Sequence, residues 1–274
     1  MQGKVVFFSE SQIVGKAPRN HPNARNDIAW SCMMNADWCP YDNTPTDYYD
    51  LGVVTIPKTR PDINVEELKK HCDKIVIMQE GPHWYFQDYS VEQQFQFVQT
   101  LRTADWVWCH NESDVGYYEG LGCKDVRVMR TLMIPEGLPA KGYSTDKSGI
   151  ILGGNFTSWY SGLDSYLIAQ AVEDKITNVS MGRKQPQEDL IDDITYLPYM
   201  SWREWINECS KYKVGVHMMR THAAGTFSMN LSYMSTPCLG YSGTDTQNLL
   251  HPQTTVEVGD IKGASTILKR LYED

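Results

Sequence analysis

In 274 residues the sequence contains no Cys-x-x-Cys pair, no low-complexity tract and no apolar run approaching the ~20 residues of a membrane span. Its seven cysteines, at 32, 39, 72, 109, 123, 209 and 238, are odd in number and scattered. That pattern excludes a disulfide framework and a clustered zinc site, and it suits reduced, intracellular thiols. The opening MQGKVVFFSESQ has only a four-residue apolar run before polar residues resume, too short for a secretory signal. The expectation is a soluble, cytoplasmic protein that does not engage a membrane. Positive charge is also in deficit: 25 Lys and Arg against 34 Asp and Glu leave a net charge of −9. General attraction to polyanions is excluded, and only a local basic rim, for which Arg19, Arg25, Lys58 and Arg60 are available, would meet one.

What is present is alternation. Short apolar runs at residues 4–9, 51–57, 74–80, 106–110 and 126–129 are separated by polar turns and helix-period stretches, the pattern of parallel βαβ units with right-handed crossovers. Ser90-Val91-Glu92-Gln93 opens one helix as a capping box, with Phe95, Val98 and Leu101 on one face and an end near Ala104. Asn64 caps another, expected over residues 64–72. The segment EGLPAKGYSTDK, residues 136–147, mixes Pro, Gly, Ser and charge without period and reads as a linker. After it the alternation restarts, with strands expected at 148–154, 176–181, 194–199, 214–219, 238–241 and 255–258. The chain is long enough for two modest cores. The expected organisation is α/β, with two doubly wound Rossmann-like domains, residues 1–140 and 148–274, facing a cleft.

The sharpest local signal is residues 220–237, RTHAAGTFSMNLSYMSTP, directly after the apolar run 214–219. A strand, a polar turn, Gly225 and then a helix-compatible run, starting near Gly225, put backbone N–H groups at the carboxyl edge of a parallel sheet, where phosphates bind. His222 lies at the mouth of that turn and Asn230, eight residues on, about one turn into the helix, so both can face one ligand. Arg183, Lys184 and Arg220 are cations at strand ends, and a guanidinium grips a diphosphate in a bidentate fork. In the first half, Glu80-Gly81-Pro82-His83 ends a strongly apolar strand, and a long loop over residues 9–27, rich in Gly, Pro, Asn and Arg, ends at Asp27.

Two α/β domains, a linker, and a strand-turn-helix closing on Ser235-Thr236-Pro237 together resemble nucleotide-sugar glycosyltransferases of the GT-B fold over nearly the whole chain. Retaining members carry E-x7-E followed by G-x-P; here His222 and Asn230 stand in the two glutamate positions. The resemblance implies that His222 lies near the donor sugar and Asn230 bonds the nucleotide ribose, a role an amide can fill by donating and accepting. It further implies that the Gly153-Gly154-Asn155 turn lies near the donor diphosphate, with Asn155 where the family has Arg, and that the loop around Met200 edges the base. Glu80, His83 and Asp27 become the candidates for a base that takes the acceptor proton.

The resemblance implies a nucleotide-diphosphate sugar as co-substrate and no cofactor. The sequence has no Asp-x-Asp triplet, so neutralisation of the leaving diphosphate falls to helix N-termini and cations, with no metal expected. A likeness to phage enzymes admits a hydroxylated DNA base as acceptor, flipped out of the duplex. The loss of the family's glutamates, Arg and Lys keeps open a catalytically silent nucleotide-sugar or small-molecule binder, and a nucleotide-sugar epimerase is a further alternative.

Overall fold

Consecutive β-branched and aromatic residues, buried on both faces, build the centre of each half of the chain. Val6, Phe7 and Phe8 are fully buried, as are Val53, Val54, Ile75, Val76 and Ile77, which is what a parallel sheet covered on both sides requires. The computed structural model describes residues 3–10, 12–21, 26–56, 63–79, 81, 83–136, 138, 146–172, 174–179 and 184–273. The chain divides into two compact units. The N-terminal unit is Met1–Ile134 with His222–Ala224, and the C-terminal unit is Pro135–Thr221 with Gly225–Asp274. Most of the expected linker, at 137 and 139–145, lies outside the described residues.

In the N-terminal unit the chain runs β1 (Val5–Ser9), β2 (Gly15–Lys16), α1 (Asn26–Met33), β3 (Asp37–Pro40), β4 (Tyr49–Ile56), α2 (Val65–Leu68), β5 (Cys72–Gln79), α3 (Val91–Thr103), β6 (Trp106–Cys109), α4 (Val115–Gly120) and β7 (Val126–Val128). The sheet order is β2-β3-β1-β4-β5-β6-β7. Every pair is parallel except the short β2, which runs antiparallel to β3. One face carries Phe8, Val54, Ile77, Phe97 and Leu101; the other carries Phe7, Ile28, Trp38, Val53 and Val76. Because β1 lies inside the sheet, with β3 on one side and β4 on the other, the winding reverses at β1 and β4.

Three local expectations are corrected here. The helix expected over 64–72 closes at Leu68: Asn64 caps it, its Oδ1 accepting from Glu67 N, but Cys72 is already paired with Tyr49 in the β4–β5 ladder. Helix α3 has the Ser90–Gln93 capping box, yet it buries Phe97, Thr100 and Leu101 while Phe95 is exposed. Phe97 stacks on Phe86 at 4.9 Å between ring centroids, a tertiary contact that the helical period does not encode. The loop over 9–27 contains β2, and β3 goes unannounced because Asp37-Trp38-Cys39-Pro40 is too short to show alternation.

The C-terminal unit runs β8 (Ile150–Gly153), α5 (Gly162–Ala169), β9 (Ile176–Val179), β10 (Ile194–Tyr196), α6 (Trp202–Cys209), β11 (Val214–His217), α7 (Thr226–Tyr233), β12 (Cys238–Tyr241), α8 (Asp245–Leu250), β13 (Thr255–Val256) and α9 (Ile261–Glu273). All six strands are parallel, in the order β10-β9-β8-β11-β12-β13. The winding reverses between β8 and β11, and the carboxyl ends of that pair form the crevice where ligands bind in doubly wound sheets. All seven cysteines are free and buried. No helix among the described residues is long and apolar enough to cross a membrane.

Candidate functional site

At the β8/β11 crevice, glycine is dictated by geometry. A Cβ on Gly153 would lie 2.6 Å from the His217 ring, and Gly154 has φ +77° with Tyr160 filling the space a side chain would need. The strand therefore ends in a turn that brings its backbone close to whatever occupies the crevice. Asn155 is buried and shapes the next turn, its Oδ1 accepting from Thr157 N at 3.2 Å and Thr157 Oγ1 at 2.7 Å. The turn ends at Ser161, in the left-handed region at φ 50°, before α5.

The second border is the β11–α7 turn. Gly225, at φ +67°, is the N-cap of α7 and supplies no side chain to the helix's first N–H groups. Thr226 is the first helical residue and is exposed. Helices α5 and α7 thus both start without a side-chain cap, which leaves their leading N–H groups without that partner. Three polar atoms on the elements bordering this crevice are buried without a hydrogen-bond partner among the described residues: Ser161 Oγ, His217 Nε2 and Asn230 Oδ1. Buried polar atoms are normally satisfied; others without a partner among the described residues, Trp38 Nε1 and Thr55 Oγ1, lie in the N-terminal unit. Burial pushes the His217 imidazole down to about 4, holding it neutral at physiological pH.

The expected cations at the strand ends are already engaged. Arg220 donates to Asp164 Oδ2 through Nη2 at 2.7 Å and Nε at 3.2 Å, and Tyr241 Oη reaches the same oxygen at 3.0 Å. Lys184 pairs with Asp189 and lies over the Tyr196 ring at 4.2 Å. Arg183 lies outside the described residues. Met200 is partly exposed and immediately precedes Ser201, the cap of α6. Of the possible basic rim, Arg25, Lys58 and Arg60 lie outside the described residues, and Arg19 donates to Cys32 O.

The N-terminal unit holds a separate cluster at the carboxyl edge of its sheet. His83 begins a 3-10 turn, His83–Asp88, beyond β5. Asp114 ends the turn Glu112–Asp114 beyond the adjacent β6. Asp114 is 4% exposed, and its Oδ1 lies 3.2 Å from His83 Nδ1 and 3.1 Å from His222 Nδ1. Its Oδ2 accepts from Asn111 Nδ2 at 3.0 Å, and the same amide nitrogen donates to Ala223 O at 3.1 Å. Ser113 Oγ is 3.0 Å from His222 Nδ1. The Tyr117 ring packs on His83 at 4.1 Å between centroids, and the two imidazoles stand 6.3 Å apart, edge to face. Burial by itself would raise the Asp114 carboxyl, but hydrogen bonds from His222, His83 and Asn111 outweigh it and hold the group well below the ordinary carboxylate range.

Two expected site residues from distant parts of the sequence, His83 and His222, therefore meet on one carboxylate. Asp27 is buried in the first turn of α1, where Oδ1 accepts from Ile28 N. Glu80 lies outside the described residues. Asp114 escapes a sequence reading because Asn-Glu-Ser-Asp after a strand is an ordinary polar turn; its position at a strand's carboxyl end is the one available signal. Asp164 escapes for a similar reason, since an acid in the first turn of a helix is commonplace. Among the described residues, no three His, Cys, Asp or Glu side chains are arranged to hold a metal ion.

No protein-family model matches the chain, and no curated protein matches it by sequence. Solved structures do match, over nearly its full length. Sucrose-phosphate synthase from Thermosynechococcus elongatus aligns with 99% of this chain and 90% of its own, at a TM-score of 0.67 and 11% identity. HepE from Anabaena, in complex with UDP-glucose, gives the same coverage, TM-score and identity. An α-glucosyltransferase in complex with UDP and a 13-mer DNA containing a hydroxymethyluracil base aligns with 100% of this chain and 90% of its own, at a TM-score of 0.66 and 11% identity. With two Rossmann-like parallel sheets, one in each unit, this chain has the α/β two-domain GT-B fold.

Proposed function

We propose that the protein is a glycosyltransferase that binds a nucleotide-diphosphate sugar in its C-terminal unit and passes the sugar to an acceptor hydroxyl. The observation that carries this reading is the β8/β11 crevice, with glycine turns at Gly153, Gly154 and Gly225, two uncapped helix starts and the unpartnered Ser161, His217 and Asn230 atoms. Such a crevice suits a diphosphate and a ribose: N–H groups meet the phosphate oxygens, and the Asn230 amide meets a sugar hydroxyl. Gly153, Gly154, Asn155, Arg183, Lys184, Met200, Arg220, Gly225, Thr226 and Asn230 are assigned to donor binding. No cofactor or metal is assigned; as the leaving diphosphate gains charge, the helix N-termini and Arg220 stabilise it. Such an enzyme would work in the cytoplasm, where nucleotide sugars are made.

The structural match with an α-glucosyltransferase bound to hydroxymethyluracil DNA supports a hydroxymethylated DNA base as the first acceptor to test. The reading is checked by thermal shift with UDP-glucose and UDP, followed by UDP release in the presence of hydroxymethylated or unmodified DNA. Stabilisation by both nucleotides and release that depends on the hydroxymethyl group is the expected result. The pairing of Arg220 with Asp164 and of Lys184 with Asp189 favours a second reading, a silent nucleotide-sugar binder, and binding without release on any acceptor would select it.

Arg220→Ala separates these contacts from general damage. Losing a guanidinium that binds phosphate is expected to weaken UDP about tenfold or more while uridine binding stays the same. Equal losses for UDP and uridine would remove Arg220 from the diphosphate site and leave it as the structural partner of Asp164.

A further inference from the structure

Within the C-terminal unit, residues from three elements meet on one oxygen at the carboxyl edge of the sheet. Asp164 lies in the first turn of α5, Arg220 just beyond β11, and Tyr241 at the end of β12. Asp164 Oδ2 accepts from Arg220 Nη2 at 2.7 Å, from Arg220 Nε at 3.2 Å and from Tyr241 Oη at 3.0 Å. The turn after β11 is also fastened to the segment between β8 and α5 by neutral bonds. Met218 N donates to Ser165 Oγ at 3.0 Å, and Thr221 Oγ1 donates to Trp159 O at 3.1 Å. Those bonds already hold the turn, and what the carboxylate adds is charge. It pushes the Arg220 guanidinium up, first through its hydrogen bond and then through its charge, and it adds to burial in pushing the Tyr241 phenol up to about 12. The Asp164 side chain is 15% exposed and that of Arg220 53%, so the acid is largely enclosed while the guanidinium reaches solvent. Pairing through Nε and Nη2 leaves the Nη1 N–H groups, at the other edge of the fork, for a phosphate oxygen.

A guanidinium paired in this way offers donors with little net charge. That distinction matters for a diphosphate ligand. A free nucleoside diphosphate carries an additional negative charge at neutral pH compared with the same diphosphate esterified to a sugar, because its terminal phosphate has a second ionisation near about 6. An uncompensated arginine would therefore favour the product over the donor, and a carboxylate on that arginine offsets the preference. We propose that Asp164 is a charge-compensating positioning residue, which presents Arg220 to the diphosphate while keeping the crevice from gripping the free nucleoside diphosphate harder than the nucleotide sugar. This rests on the donor-binding reading above and deepens it: the same site that takes the nucleotide sugar is tuned to let the nucleoside diphosphate go. Asp164 acts through Arg220, with Tyr241 fixing the carboxylate oxygen that they share.

Titration calorimetry of the intact protein with UDP-glucose and with UDP tests this, read as the ratio of the two dissociation constants. Asp164→Asn keeps the size of the side chain and removes its charge. It is expected to tighten UDP about fivefold relative to UDP-glucose, and that gain should fade as salt is raised. Asp164→Glu restores the charge, and Tyr241→Phe removes a hydrogen bond without changing charge. Both are expected to keep the wild-type ratio within about twofold. A merely structural role for Asp164, or partial unfolding of a variant, would weaken both ligands together and leave the ratio alone. An Asp164→Asn ratio within about twofold of wild type therefore overturns the proposal, as does a shift of the same size in Asp164→Glu. Failure of the wild type to bind either nucleotide overturns instead the donor-binding reading on which the proposal rests.

Discussion

Gly225→Ala is expected to lower the melting temperature by roughly 10 °C, corresponding to about 3 kcal/mol in a unit of this size, and to abolish stabilisation by UDP. Two costs combine. The residue sits at φ +67°, where a side chain costs about 1–2 kcal/mol. The new Cβ would also overlap Thr246 Oγ1, which donates to Gly225 O and accepts from Ser228 Oγ, both at 2.9 Å. Thr246 cannot simply swing away without releasing the contacts that tie α8 to the start of α7. A double variant, Gly225→Ala with Thr246→Ala, separates the two: removing the hydroxyl relieves the overlap but leaves the backbone strain, so about half the loss should return. A Gly225→Ala protein that melts within about 2 °C of wild type would show that the turn is not held in the left-handed region in solution.

The second large effect is acid sensitivity near neutral pH. Three imidazoles are held neutral: His110 and His251 are buried, and His217 is half-buried with its Nε2 shut away from solvent. His110 places Nε2 3.2 Å from Gln79 O and Nδ1 3.2 Å from Asn26 Nδ2. His251 accepts from Cys238 N on Nδ1 and donates to Ser228 O from Nε2. His217 is packed by Gly153, Tyr160 and Phe227. Burial lowers all three, His217 to about 4. When a histidine's folded value lies below its unfolded one, the unfolded chain takes up the proton first. Stability is therefore complete above the unfolded value of about 6.5 and falls as pH drops toward the folded value. For His217 alone the full loss across that window is about 3 kcal/mol, and about 2 kcal/mol of it falls between pH 7 and pH 5. Urea unfolding at the two pH values measures it. His217→Gln should lose about 2 kcal/mol less than wild type between pH 7 and pH 5, whatever its stability at pH 7. An unchanged difference would place the acid-sensitive group elsewhere.

The two predictions differ in how far the sequence reveals their residues. Gly225 stands out because a glycine between an apolar run and a helix-compatible stretch has few other uses, and the turn it makes is where the sequence places it. His217 does not stand out. It ends an apolar run, and its neutrality depends on Gly153 and Phe227 being beside it, a condition set by the parallel pairing of β8 with β11. Likewise the sequence singles out His222 through its spacing to Asn230, but its hydrogen bond with Asp114, 108 residues away in sequence, cannot be read there. Arg220 is legible as a cation at a strand end, but its engagement by Asp164 from α5 is not.

The sequence by itself determined the alternation of strands and helices, the two-sheet α/β class, the glycine turns and most helix starts. Those follow from local chemistry: β-branched runs, capping side chains and the conformational freedom of glycine act within a few residues of one another. Tertiary structure alone decided which charges are spent on each other, which imidazoles are dry, and that two histidines share one aspartate. Those depend on distances between segments far apart in the chain, and on burial, which changes the free energy of a charge far more than any neighbour in sequence does.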